Sequence, residues 1–290
     1  MTGLSKFSYE GKRVIVTGAA SGIGEATVDV LLSLGAEVHS MDVKEAAKGI
    51  FTHLDLSDEE SIERAVEAVG GPVHALFNIA GLGSYSPVGG DLVLLVNFVG
   101  TRYLTDCVVP LMPPGSAIAN VTSRANRAWR DNVDEVRPLI ETDSFEAGAQ
   151  WIAEHPESWT SPAPGPNGTA YRFSKDALTV YTMLKAQQLR PLGIRVNSQS
   201  PNGTKSGLYS NFVASVGDAE KAVEMTVGEG GRAGEAEEQA YALAFLNSDA
   251  ASFVSGIDLG VDGAGGVAKE YKDAAVLPPL ASAANAEAAR

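Results

Sequence analysis

The hydrophobic pattern of the chain alternates between two periods. Arg13-Val14-Ile15-Val16 is a short, mostly β-branched run, as expected of a strand buried on both faces. From Gly22 to Leu34 the apolar residues Ile23, Ala26, Val30, Leu31 and Leu34 recur at helical spacing, and Gly35 stands where that helix would end. The alternation continues with strands at 37–41 and 50–54. At Ser57-Asp58-Glu59-Glu60 a helix opens, with Ser57 expected as the cap and Glu60 completing a capping box. A strand at 75–77 and a long helix over 91–109, stopped by Pro110, come next. Strands at 117–121, 194–196 and 256–261 flank a helix over 169–189. Such strand–helix alternation predicts a parallel sheet covered on both faces, with right-handed crossovers and a ligand site beyond the carboxyl ends of the strands. The expected architecture is a single Rossmann-type, doubly wound α/β domain with a seven-stranded parallel sheet, spanning 1–267.

Two stretches break the rhythm. Residues 124–168 separate the fifth strand from the next helix, carry Trp129, Trp151 and Trp159, and read as a helical insertion. Residues 268–290 form an Ala-rich tail.

Composition narrows the partners. The 290 residues carry a formal net charge of −14, which repels phosphate backbones and makes nucleic acid and anionic membrane poor partners. No apolar run of membrane-spanning length is expected, and Met1–Glu10 lacks the apolar core of a leader. Cys107 is the single cysteine, and His39, His53, His74 and His155 are scattered, so neither an internal disulfide nor a metal site is expected. These features fit a cytoplasmic protein.

The candidate chemistry lies just after the strands. Thr17-Gly18-Ala19-Ala20-Ser21-Gly22-Ile23-Gly24 joins the first strand to the first helix. Gly18 suits a sharp turn, Gly22 a close backbone approach to a pyrophosphate, and Gly24 close helix–strand packing, while the helix N-terminus offers free N–H groups to phosphates. Asp42, at the end of the second strand, can accept both hydroxyls of a ribose and repel a 2′-phosphate, which favours NAD over NADP despite nearby Lys44. Asp55, next to Leu56 after the third strand, suits either an adenine amino group or a turn into the following helix.

Tyr171 and Lys175 are four apart on one helix and share a face. An ammonium beside a phenol favours the phenolate, so the pair is expected to exchange protons with an alcohol or carbonyl near neutral pH. Tyr181 and Lys185 repeat the spacing, but Tyr181 is turned roughly 80° around the helix from Tyr171 and lies farther from the sheet edge. It is expected to pack or to face solvent.

The ordered set Thr17-Gly18-xxx-Gly22-Ile23-Gly24, Asn78-Ile79-Ala80-Gly81, Asn97, Ser123, Tyr171-xxx-Lys175, Arg195-Val196-Asn197 and Val261-Asp262-Gly263 resembles the short-chain dehydrogenases/reductases over about 12–266. The insertion before Tyr171 is most like that of the coniferyl-alcohol and 3-alpha-hydroxysteroid members. The resemblance implies a substrate oxygen held by Ser123, acid/base chemistry at Tyr171, and nicotinamide-ribose binding by Lys175. It implies that Asn97 anchors a water linked to Lys175 and that Asn78 stiffens the sheet beside the cofactor. Ser21, Ile23, Ala80, Gly81 and Pro201 join the cofactor wall on the same ground, and the hydroxyl meeting the carboxamide falls at Ser206 or Thr204. Where the family usually has Pro-Gly, this chain has Pro201-Asn202, and asparagine tolerates the left-handed backbone a turn there could require.

The resulting expectation is an NAD-dependent oxidoreductase of a bulky aromatic or alicyclic alcohol or carbonyl. Its apolar walls would come from Trp129, Trp151 and Trp159 on one side and Leu208, Tyr209 and Phe212 on the other, unless the insertion instead packs on itself or on another subunit. By resemblance the protein forms a homodimer or homotetramer. A catalytically silent NAD sensor and a dehydratase or epimerase are the competing readings; the intact Ser/Tyr/Lys/Asn set and the glycine spacing oppose them.

Overall fold

The computed structural model describes residues 3–126, 128–160, 167–227 and 231–266; the tail at 268–290 and part of the insertion lie outside them. The chain runs β1 (Arg13–Thr17), α1 (Gly22–Ser33), β2 (Glu37–Asp42), β3 (Ile50–His53), α2 (Glu59–Val69) and β4 (Ala75–Asn78). It continues through α3 (Gly90–Leu94), a π-helical segment Leu95–Gly100, α4 (Thr101–Val108), β5 (Ala117–Val121), α5 (Val133–Ile140) and α6 (Phe145–Glu154). The last elements are α7 (Gly168–Leu189), β6 (Arg195–Pro201), α8 (Gly207–Val216), α9 (Ala219–Val227), α10 (Ala236–Asn247) and β7 (Asp258–Val261).

All strands pair in parallel, in the order β3-β2-β1-β4-β5-β6-β7. The chain winds outward from β1 to β3, then crosses to β4 on the other side of β1. The order therefore reverses between β1 and β4, and a crevice opens at their carboxyl ends. Side chains alternate across the sheet. Ile15, Leu76, Ile118 and Val196 face a core built with α2, α4 and α7, whereas Val14, Val16, Phe77 and Ala119 face α1 and α10.

Several expected details change. Asp58, not Ser57, caps α2: its carboxylate accepts from the Glu60 amide, while the Ser57 hydroxyl donates to Asp55 at 2.6 Å. The stronger acceptor takes the cap and the neighbouring carboxylate draws the serine away. The long helix exists, but it carries the π-helical segment that holds Asn97. Contrary to expectation, one helical stretch, Gly90–Leu111, is long and apolar enough to span a membrane, with mean hydropathy 1.5; it is mostly buried, as the core helix of a folded domain is.

The insertion is helical. Buried Arg102 of α4 holds it down, donating to the carbonyl oxygens of Leu139, Thr142 and Ser144 and to the Thr142 hydroxyl. Asn132, at the start of α5, donates to Asp176 of α7 at 2.7 Å. Thus α5 and α6 lie against α7 and the π-helical segment, and neither lines the crevice.

Candidate functional site

The turn after β1 is shaped by what its glycines lack. Gly18 has φ +69°, and a Cβ there would stand 2.9 Å from the Ala80 backbone. A Cβ on Gly24 would overlap the carbonyl oxygen of Gly18, so α1 can approach β1 only because that atom is missing. Gly22, φ +58°, faces Ser206 across the crevice: a Cβ would meet the Ser206 Cβ at 3.2 Å. Changing Gly24 to alanine should force the turn apart, weaken dinucleotide binding about tenfold or more and lower stability by about 1–3 kcal/mol. Titration with NADH and urea denaturation would check both, and unchanged values would refute this account of the turn.

Thr17, to which sequence reasoning assigned no role, joins the two halves of the switch point. Its hydroxyl accepts from the amides of Ile79 and Ala80 at 2.9 and 3.0 Å. Asn78 lies behind the crevice, and its amide donates to Thr105 Oγ1 at 3.0 Å and Asn120 Oδ1 at 2.8 Å, tying β4 to α4 and β5.

The crevice has a volume of about 730 Å³. One end is lined by Gly18, Ser21, Gly22, Ile23 and Gly24, by Asp42, and by Asp55 and Leu56. The Asp42 carboxylate accepts from the Ala20 amide at 3.1 Å and the Lys44 amide at 2.9 Å, so the glycine turn itself fixes it. Asp55 accepts from the amide and hydroxyl of Ser57, which gives it the turn role, although it also borders the crevice. Ala80, Gly81, Pro201, Thr204 and Ser206 line the middle. Thr204 is buried and donates to the Asn202 carbonyl, whereas Ser206 caps α8 directly opposite Gly22.

At the other end stand Ser123, Tyr171 and Lys175. Ser123 follows β5, and Tyr171 and Lys175 lie on the first turns of α7, so all three reach the carboxyl edge of the sheet. The Ser123 hydroxyl lies near enough to the Tyr171 phenol to favour its anionic form. The Lys175 ammonium donates to the Val121 carbonyl at 2.8 Å and lies 5.7 Å from the centre of the Tyr171 ring. Gly81 permits this crowding, since a Cβ there would stand 3.7 Å from Lys175 Nζ and 3.0 Å from Asn97 Oδ1.

The electrostatics correct the expected direction for Tyr171. Burial pushes its phenol up, and the nearby Ser123 hydroxyl only partly opposes this. The same burial lowers Lys175 to about 8. Desolvation is the leading cause for both groups, and Tyr171 is neutral at pH 7.

The Asn97 carboxamide has protein partners of its own. Its oxygen accepts from the Leu82 amide at 2.7 Å, and its nitrogen donates to the Leu82 carbonyl at 2.9 Å and Ser174 Oγ at 3.2 Å. The side chain therefore pins the loop after β4 to the π-helical segment.

The apolar walls are corrected in part. Leu208, Tyr209 and Phe212 line the crevice, but Trp129, Trp151 and Trp159 do not. Trp151 stacks on Phe173 and His155, Trp159 donates to the Ile152 carbonyl, and Trp129 lies under the Arg130 guanidinium. Because the insertion packs behind α7, its aromatics brace that helix. The opposite wall is Tyr85, with Leu92 and Val96, which sequence reasoning missed because a lone tyrosine in a Gly/Ser-rich loop carries no periodic signal. Tyr85 packs on Phe212 at 5.7 Å between ring centres.

Comparison with known proteins agrees with this geometry. Residues 12–132 match the family described as short chain dehydrogenase, and residues 157–266 match enoyl-(acyl carrier protein) reductase. The chain is 30% identical over 264 residues to coniferyl-alcohol dehydrogenase of Pseudomonas sp. (strain HR199 / DSM 7063), covering 90% of this chain and 98% of that protein. The chain belongs to the short-chain dehydrogenase/reductase family. Within that family it is also 30% identical to 3-alpha-hydroxysteroid dehydrogenase/carbonyl reductase of Comamonas testosteroni, covering 86% of this chain and 95% of that one. The crystal structure of the 3-alpha-hydroxysteroid dehydrogenase from Pseudomonas sp. B-0831, complexed with NADH, superposes with a TM-score of 0.72 at 29% identity, over 87% of this chain and 96% of that chain.

Proposed function

We propose that this short-chain dehydrogenase/reductase interconverts a bulky aromatic or alicyclic alcohol and its carbonyl compound, using NAD. The observation that carries this reading is that Ser123, Tyr171 and Lys175 stand together, with the Lys175 ammonium 5.7 Å from the centre of the Tyr171 ring, at the end of a crevice whose other end is the glycine turn. The residues fit a dinucleotide. The turn is a cradle that side chains would fill, the N-terminus of α1 opens onto it, and the Asp42 carboxylate is held where it can accept from ribose hydroxyls.

The bound nicotinamide would supply the hydride donor or acceptor. Ser123 would hold the substrate oxygen by hydrogen bonding. Tyr171 would give that oxygen a proton as the carbonyl becomes an alcohol, and remove it in the reverse direction. Lys175, fixed to the Val121 carbonyl, would place positive charge beside the phenol when it loses its proton. Leu208, Tyr209, Phe212 and Tyr85 form an apolar mouth that favours ring-shaped substrates over small polar ones.

The test is NADH formation at 340 nm with NAD and a panel of aromatic, alicyclic and steroid alcohols that includes coniferyl alcohol. Turnover of at least one ring alcohol is expected. Tight NADH binding with silence across the panel and the matching ketones would favour the sensor reading. Asp42 sets the coenzyme preference, so Asp42→Ala should improve kcat/KM for NADP relative to NAD by about tenfold or more, as removal of a carboxylate facing a 2′-phosphate predicts. An unchanged ratio would show that Asp42 does not face the ribose.

A further inference from the structure

The chain leaves the sheet at Pro201 and comes back beside the same strand end at Gly234, with α8 and α9 in between. Two backbone hydrogen bonds clip the neck of this excursion: the Gly234 amide donates to the Gly203 carbonyl at 2.8 Å, and the Lys205 amide to the Gly234 carbonyl at 2.9 Å. No residue of α8 is buried, so packing alone holds that helix weakly. Its contacts with the body include Leu208 against Gly83, Tyr209 against Gly203 and Phe212 against Tyr85.

The end of α9 is seated differently. Its Thr226 closes onto the turn after β6 so tightly that a Cβ on Gly203 would overlap the threonine hydroxyl. A Cβ on Gly265, after β7, would stand 2.8 Å from Asn202 Nδ2 and 2.9 Å from the Thr226 carbonyl oxygen. Into this three-way contact the Asn202 side-chain amide donates a hydrogen bond to the Thr226 carbonyl. That carbonyl belongs to the last turn of α9, where helix carbonyls lack partners of their own. Neither Asn202 nor Gly203 has positive φ. The asparagine is therefore not there for the left-handed backbone anticipated from the sequence; its amide is what the position uses.

We propose that Asn202 is a positioning residue whose amide, capping the Thr226 carbonyl, fixes the α8–α9 excursion over the substrate end of the crevice. It acts through that excursion and holds Leu208, Tyr209 and Phe212 opposite Tyr85. The kinetic consequence rests on the alcohol–carbonyl reading above; the anchoring itself does not.

Asn202→Asp and Asn202→Gly test it in the full-length protein. Aspartate keeps the shape but puts an acceptor against a carbonyl, and glycine removes the side chain. In both, hydrogen exchange of amides at 207–227 should accelerate about tenfold, the ratio expected for one lost partly buried hydrogen bond, while β1, β4 and β5 keep their protection. With an alcohol that the unaltered protein oxidises, KM should rise about tenfold and kcat should change less than about threefold, with NADH affinity retained. Unchanged exchange at 207–227, acceleration spread evenly through the sheet, or a loss confined to kcat would each overturn the proposal. The exchange measurement needs no substrate, so its failure is separable from a failure of the assigned reaction.

Discussion

Replacing Tyr171 with phenylalanine should lower kcat by about 10²–10⁴-fold, the range expected when a positioned acid/base group is removed, and leave NADH affinity nearly unchanged. The change deletes one oxygen, the phenol oxygen on the crevice side beside Ser123, and keeps the ring against Lys175. The control is built into the same helix. Tyr181 and Lys185 share the spacing, but Tyr181 is 5% exposed and packs edge-on to Phe98 at 5.8 Å, while Lys185 pairs with Asp106 at 2.6 Å. Tyr181→Phe should keep turnover within about threefold and cost at most about 1–2 kcal/mol of stability. Steady-state rates and melting curves of the two variants decide the matter. Turnover that survives the first substitution and vanishes with the second would reverse the assignment.

That contrast shows why much of this site was legible in the sequence. The glycine turn, Asp42 and the Tyr171–Lys175 pair are set by backbone geometry and by helical spacing, which are local properties a sequence states directly, whereas Asn78 came only from the resemblance. The position of the turn after β1 followed from period alone, and the difference between Tyr171 and Tyr181 from ten residues of helical rotation. What was not legible depends on which side of an element a segment comes to rest. Three tryptophans in an insertion announce burial but not direction, and here Arg102 and Asp176 fasten the insertion behind α7, so the tryptophans support that helix. Tyr85 became part of the mouth only because α8 brings Phe212 to it. Asn202 was visible as an oddity, but its partner, Thr226, lies 24 residues on, beyond any local rule. The sign of the Tyr171 shift was missed for a related reason. Proximity of an ammonium can be read from spacing, whereas the depth of burial that outweighs it is a property of the assembled fold.

The lysine shows that cost directly. Folding buries Lys175 to 4% exposure with no carboxylate against it, and its ordinary value of 10.5 falls to about 8. At neutral pH both the folded and the unfolded chain hold the proton, so the folded state carries the whole desolvation penalty, on the order of 3 kcal/mol. Between pH 8 and 10.5 the unfolded chain binds more protons at this site than the folded one. The Lys175 contribution to stability therefore rises with pH across that window and is flat below it. Lys175→Met keeps a similar shape and removes the charge, but leaves the Val121 carbonyl without its donor, which costs about 1–2 kcal/mol. The variant should accordingly lose about 10²-fold or more in kcat/KM and yet gain about 1 kcal/mol of stability at pH 7. Urea denaturation without added dinucleotide, at pH 7 and pH 9.5, gives the decisive comparison. The unaltered protein should gain about 2 kcal/mol relative to the variant over that interval. A variant that is less stable at pH 7, with the same pH slope as the unaltered protein, would mean that the ammonium is well solvated or compensated in the fold. A solvated ammonium would also have no cause to titrate near 8.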